Sequence, residues 1–366
     1  MHKPLLLLLV LVIISCANLE RPPSSAPTRG VWLTNIDSKA LFSKAGIEAA
    51  VDHCYKLGFN TLFVVTWNRA YTLYPSAVMA EKFGRPIDPE FAGRDPLQEV
   101  ITAAHAKGMK VYAWFEFGFS SSYQESDGGA LIRQFPQWAA IDSSGALVSK
   151  NGFQWMNAFD PAVQDFILAL LKEVVEKYQV DGIQGDDRLP ALPSEAGYDS
   201  TTLARFQHQT GRRDIPAQFD STWIDWRAKE LNHVMQRIHD EVKQIRADCQ
   251  ISMSPSIYPW SKEQYLQDWP TWVRNEWVDM VCPQIYRYDI DKYKAELQKI
   301  TTQQMPKSST TILSPGILLK VGDYVASDSL LQQMIHENRQ NGIEGEVFFF
   351  YEGLKKRPTF FQALYP

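Results

Sequence analysis

A chain of 366 residues with 45% hydrophobic and 22% charged side chains has the make-up of a globular protein with a full core, and that length does not require two domains. The formal net charge of -5 argues against a nucleic-acid partner held through phosphate contacts.

The amino terminus addresses the chain. His2 and Lys3 precede an apolar run over residues 5–14, too short to span a bilayer and of the right length for a signal-peptide core. The run ends in Ile13-Ile14-Ser15-Cys16, which resembles a bacterial lipobox. On that reading residues 1–15 are a lipoprotein signal peptide and Cys16 is lipidated; the alternative is an ordinary secretory signal. Residues 16–28, with Pro22, Pro23, Ser24, Ser25 and Pro27, form a flexible polar tether to the membrane. The other cysteines, Cys54, Cys249 and Cys282, lie in or beside apolar runs with no Cys-x-x-Cys spacing, and are expected as buried thiols.

From residue 29 to 366 apolar β-type runs alternate with helical patterns. Strands are predicted over residues 30–35, 61–67, 110–117, 182–186, 250–254, 280–286, 311–316 and 345–350. Helices are predicted over 47–57, 96–107, 162–178, 223–247, 290–302 and 327–341, three of them followed by a C-terminal glycine at Gly58, Gly108 and Gly342. Strict alternation implies a parallel sheet, and eight units imply a (β/α)₈ TIM barrel. An open doubly wound sheet is the other α/β solution, but no Gly-x-Gly-x-x-Gly follows the first strand. Two connections, residues 120–157 and 189–220, are long enough to shape a cleft over the C-terminal ends of the strands.

Strand parity then sorts the side chains. In the third strand Tyr112, Trp114 and Glu116 point inward, and in the fourth Gln184 and Asp186 do. Ser252 and Ser254 take these positions in the fifth strand, and Cys282, Gln284 and Tyr286 in the sixth. A barrel interior filled only for stability favours Val, Ile and Leu there, so this polar, acidic set marks a site. Asp186, the last inward residue of its strand, is the leading catalytic residue. Asp187 has opposite parity and supports it, bonding backbone or Arg188. Glu116 and Asp289 are the other catalytic candidates, with Glu352 behind them.

Paired carboxylates at a barrel mouth suit glycoside hydrolysis, in which one stays protonated to donate to the leaving oxygen and the other is ionised. Sugars also require aromatic platforms and planar hydrogen-bonding groups, here Trp67, Asn68, Arg69, Trp114, Trp155, Tyr258, Trp260, Gln284, Tyr286 and Tyr351 at or beyond strand ends. Arg69, Arg188 and Arg287 suit an acidic sugar such as muramic acid. The histidines fall mostly on predicted helices, so neither a metal nor another cofactor is expected. No Gly-x-Ser-x-Gly elbow or Walker-type loop is present.

Arg29-Gly-Val-Trp-Leu-Thr-Asn35, Gly58-Phe-Asn-Thr61, residues 108–116, Pro283-Gln-Ile-Tyr-Arg287 and above all Asp181-Gly-Ile-Gln-Gly-Asp-Asp187 resemble the glycosyl hydrolase-like 10 family of bacterial lipoproteins, over roughly residues 28–353. The resemblance implies a (β/α)₈ barrel related to glycoside hydrolases, and one branch of the family cleaves peptide-free peptidoglycan glycan strands. Asp186 is also similar to the strand-four nucleophile of the α-amylase and α-galactosidase groups. Gly185 and Arg188 stand where many family members carry aromatic residues. The amylase-type acid on strand five has no counterpart in Ser254-Pro255-Ser256.

The resulting expectation is an envelope-anchored glycoside hydrolase acting on a polysaccharide, peptidoglycan strands first. Ala17, which is not the aspartate some bacteria use for inner-membrane retention, favours the periplasmic face of the outer membrane. Two rivals remain: a non-catalytic glycan-binding lipoprotein with the same barrel, and a structural lipoprotein that recruits other proteins through an exposed apolar patch. A second carboxyl about 5 to 9.5 Å from Asp186 across an open cleft supports hydrolysis, whereas Asp186 buried in ion pairs with no such partner weakens it.

Overall fold

The computed structural model describes residues 26–365; the expected signal peptide, Cys16 and most of the tether lie outside the described residues. Eight parallel strands follow one another: β1 Arg29–Leu33, β2 Thr61–Val65, β3 Lys110–Phe115, β4 Gly182–Gly185, β5 Gln250–Met253, β6 Met280–Val281, β7 Gly316–Leu318 and β8 Glu346–Phe349. Their order in the sheet is β6-β5-β4-β3-β2-β1-β8-β7. The two edges meet through isolated parallel bridges, Val281 with Leu313 and Gln284 with Gly316, supported by Ser314 N–H to Val281 O at 2.9 Å. The sheet therefore closes into the expected (β/α)₈ barrel.

Two strands depart from prediction: the sixth, expected over residues 280–286, is regular only over Met280–Val281, with Gln284 in an isolated bridge, and the seventh lies elsewhere. Residues 311–316 do not form the seventh strand, because Lys307–Ile312 winds as a 3₁₀ helix and Pro315 has no N–H for a ladder. Regular pairing with β8 begins only at Gly316.

Each predicted helix is present, and each begins on a side chain able to cap it. They are α1 Lys44–Lys56, α2 Pro96–His105, α3 Pro161–Lys177, α4 Ser221–Ile245, α5 Ile290–Lys299 and α6 Asp328–Gln340. Ser43, Asp95, Asp160, Asp220, Asp289 and Ser327 each accept a first-turn backbone N–H, worth about 1 kcal/mol apiece. The helices α2 and α3 also carry proline at the first turn, where its missing N–H costs nothing.

Trp32, Phe63, Tyr112 and Trp114 fill the barrel, with Trp32 centred 5.7 Å from Phe63 and 6.2 Å from Trp114. Gln184, fully buried, shares their level: its Oε1 accepts from Trp32 Nε1 at 2.7 Å and its Nε2 donates to Ser252 Oγ at 2.9 Å. Every polar atom of that amide is thus engaged, as burial demands. Cys54, Cys249 and Cys282 are buried free thiols.

The base of the barrel, where the strands begin, is tied by Glu346, which pairs with Arg339 and accepts from the Tyr365 hydroxyl. Arg29 enters β1 there, over the Tyr365 ring. At the opposite end the two long connections are ordered. The one after β3 forms a three-stranded antiparallel sheet of Ser120–Tyr123, Ser149–Lys150 and Phe153–Trp155. The one after β4 carries the helix Ser200–Thr210, and its Tyr198 and Phe206 form a separate aromatic cluster with Trp223 and Trp226 of α4. Arg227 pins that connection by donating to the Ser194 and Ala196 carbonyls at 2.6 Å.

Candidate active site

Asp186 leaves β4 at the mouth and is held from three sides. Its Oδ1 accepts from Gln284 Nε2 at 2.6 Å and from the Asp187 backbone N–H at 2.8 Å, while Gln267 Nε2 donates to its carbonyl at 3.0 Å. Glu116 leaves β3 beside it, and its Oε2 accepts from Asn68 Nδ2 at 3.0 Å. Arg188 joins the two. Its Nη2 lies 3.7 Å from Glu116 Oε1 and 3.5 Å from Asp186 Oδ2, so those oxygens are at most about 7 Å apart. The same guanidinium donates through Nε to the Glu116 carbonyl at 2.9 Å and pairs through Nη1 with Asp187 at 3.0 Å.

Glycine makes this contact between strand ends reachable. Gly118, at φ +51°, lies so close to the Arg188 backbone that a Cβ there would sit 1.9 Å from its carbonyl oxygen. Gly185 has its Cβ position filled by Leu189 O and Met253 Sδ, each 2.5 Å away. The turn after β4 therefore has no room for a side chain at residue 185.

Three carboxyls around one guanidinium cannot all be ionised cheaply in a buried place. Burial, with the Asp187 charge second, raises the Asp186 pKa well above the usual carboxylate range. Burial raises that of Glu116 to about 7, against the opposing pull of Arg188. Asp186 accepts two short bonds from N–H donors, and the Glu116 side chain, bonded by Asn68 and Thr34, is 18% exposed. With one guanidinium between them, the pair can hold one proton and one charge, the combination that acid-base cleavage of a glycosidic bond requires.

The family model described as Glycosyl hydrolase-like 10 matches residues 27–322. The chain belongs to this family. It is a glycosidase by membership, and its substrate class is a glycan. Glycosyl hydrolase DigH of Escherichia coli strain K12 is 25% identical over 343 residues, covering 78% of this chain and 74% of that one. Glycosyl hydrolase YngK of Bacillus subtilis strain 168 is 23% identical over 306 residues, covering 75% of this chain and 57% of its own length. Among solved structures, the PgaB (BpsB) glycoside hydrolase domain of Bordetella bronchiseptica shares the fold, with a TM-score of 0.68 over 93% of this chain and 98% of that chain at 13% identity.

Within this glycosidase the other expected site residues separate into groups. Asn68, Asp187, Arg188, Gln284 and Tyr286 gather around the acid pair; the Tyr286 phenol is held well above its usual pKa by burial and by the Asp186 and Asp187 charges. Trp114 and Gln184 lie beneath, in the filled interior. Trp67 is fully buried, its Nε1 donating to Gly118 O at 3.0 Å, and Trp155 is buried too, so both are packing. Asp289 caps α5 through Lys292 N–H at 2.9 Å and pairs with Lys292 Nζ at 3.1 Å, away from the acid pair's bonds. Arg287 is taken by Glu296 at 3.5 Å and the Tyr286 carbonyl. Glu352 accepts from Ser38 Oγ at 2.8 Å and pairs with Lys355. Tyr258 leans edge-on to Trp269, whereas Trp260 is exposed on the rim. Among the described residues, no three His, Cys, Asp or Glu side chains converge to hold a metal ion.

Several participants carried no signal of their own in the sequence. Tyr265 lies near enough to Asp187 to feel its charge, and Asn151 Nδ2 donates to its hydroxyl at 2.8 Å. Lys150, one residue earlier, reaches Glu195 at 2.9 Å and the Gln264 carbonyl at 3.0 Å. The hairpin after β3 is thereby strapped to the connections after β4 and β5. Gln267 and Phe153 join the site through similar long-range folding.

Proposed function

We propose that this protein is an envelope-anchored glycoside hydrolase that cleaves peptidoglycan glycan strands, with Glu116 as general acid and Asp186 as nucleophile or base. The observation that carries the catalytic part is the single Arg188 nitrogen within 4 Å of both carboxyls. It keeps the acids within about 7 Å of each other, inside the upper limit for two carboxyls that flank one glycosidic bond. Glu116, half protonated near neutral pH, gives its proton to the leaving oxygen while Asp186 either attacks the anomeric carbon or takes a proton from water. Gln284 and the Asp187 N–H hold the Asp186 carboxylate on its line of approach.

The lipobox-like Ile13-Ile14-Ser15-Cys16 supports the anchor, and Ala17 supports the outer membrane. The resemblance of Asp181-Gly-Ile-Gln-Gly-Asp-Asp187 to a family with a strand-cleaving branch supports the substrate. Digestion of purified, peptide-free glycan strands by the wild type and by Asp186→Asn, with product analysis, tests the reading. Cleavage is expected from the wild type and a loss of roughly 10²–10⁴-fold in the variant. Equal product from both removes Asp186 from the chemistry, and no product from either favours a glycan-binding barrel.

A further inference from the structure

Three arginines stand at the ends of barrel strands, and two are committed. Arg188 is shared among Glu116, Asp186 and Asp187, and Arg287 lies against Glu296. Arg69 is exposed and, among the described residues, has no carboxylate within 4 Å and no hydrogen bond to its guanidinium. Glu116 and Asp88 both feel its charge without an ion pair to it, and Asp88 Oδ1 accepts the Glu90 N–H at 3.0 Å.

Its position is nevertheless built. Arg69 follows directly on Asn68, the residue that donates to Glu116, at the tip of the small hairpin pairing Trp67–Asn68 with Tyr71–Thr72. Arg69 and Ala70 both take left-handed backbone, at φ +49° and +59°. Glycine or asparagine fits such a turn better, so an arginine there is held against local preference. The guanidinium lies 6.0 Å from the Tyr123 ring centre, Tyr123 packs 4.9 Å from Phe153, and Phe153 lies under Arg188 at 4.7 Å. A continuous cation–ring–ring–cation row thus runs from the acid pair outward to Arg69.

We infer that Arg69 binds a carboxylate carried by a sugar ring of the glycan, next to the ring whose bond the acid pair cleaves, and so selects strands of acidic sugars. This rests on the hydrolase reading above. A guanidinium without an internal partner, set beside the mouth on an aromatic face, has its donor edge available to a planar anion. The acidic mouth itself repels such an anion, so one cation in that place changes which glycans enter.

The test compares native peptide-free strands with the same strands carboxyl-reduced to the neutral alcohol, using the full protein. Wild type is expected to favour the native strand in kcat/KM by roughly ten- to a hundredfold, the worth of one charged hydrogen-bonded pair. Arg69→Asn, which suits the left-handed turn and removes the guanidinium, is expected to bring that ratio close to one with a melting temperature no lower than that of the wild type. Arg69→Lys is expected to restore part of the preference. If wild type cleaves both strands equally, or Arg69→Asn keeps the preference, the inference is overturned while the hydrolase reading stands. If wild type neither cleaves nor binds either strand, both fall together.

Discussion

At the scale of single residues, Glu116 sets a conflict between stability and chemistry. Its carboxyl ordinarily ionises near 4.5 and here near 7. Between those values the folded chain keeps a proton that the unfolded chain has released. Stability from this group is therefore greatest at low pH and declines as pH rises from about 4.5 to 7, by up to about 3 kcal/mol above that window. Glu116→Gln is expected to raise the melting temperature at pH 8 and leave it nearly unchanged at pH 4, which paired thermal melts check. The same variant is expected to lose the alkaline limb near pH 7 from the kcat/KM profile, because the donor that limb reports is gone. Asp186 and Glu116 were legible in the sequence because strand parity aims the last inward residue at the mouth. Asp289 was not separable from them, since an aspartate before a helix reads alike as cap or as catalyst until Lys292 is seen to hold it. Tyr265 and Gln267 were invisible for another reason: they act through a chain that folds back over the mouth, with no local period to announce it.

At the scale of elements, the contact between the strand ends of β3 and β4 is the part most sensitive to change. Gly118→Ala places a methyl against a backbone oxygen that cannot move aside alone, and at a positive φ. A cost of roughly 2–4 kcal/mol is expected from strain and overpacking, measured by urea denaturation. A drop in kcat of up to about a hundredfold is expected with it, since Arg188 positions both acids. Wild-type kcat in a correctly folded Gly118→Ala would show that the carboxyls do not depend on this contact. Most elements were readable from alternation and caps. The seventh strand was displaced because Pro315 silences one rung of the ladder while the apolar pattern around it continues.

At the scale of the whole molecule, the barrel is unevenly closed. The β2 and β3 strands pair over five residues, from Thr61 with Lys110 to Val65 with Trp114, whereas β6 meets β7 only through isolated bridges. Hydrogen exchange is expected to be faster at the Ser314 and Gly316 amides than at Leu62 and Val64; uniform protection around the barrel would contradict a weak seam. The parallel sheet also fixes a direction. Because every strand runs the same way, Arg29 enters at one end and the acids stand at the other. A lipid leash on Cys16 would therefore attach to the heel of the molecule and leave the mouth facing outward. A fully extended chain over residues 16–28 would reach at most about 45 Å. Together with the height of the barrel, such a leash, under the proposed anchoring, would set how far from the bilayer a glycan strand could lie and still be cut.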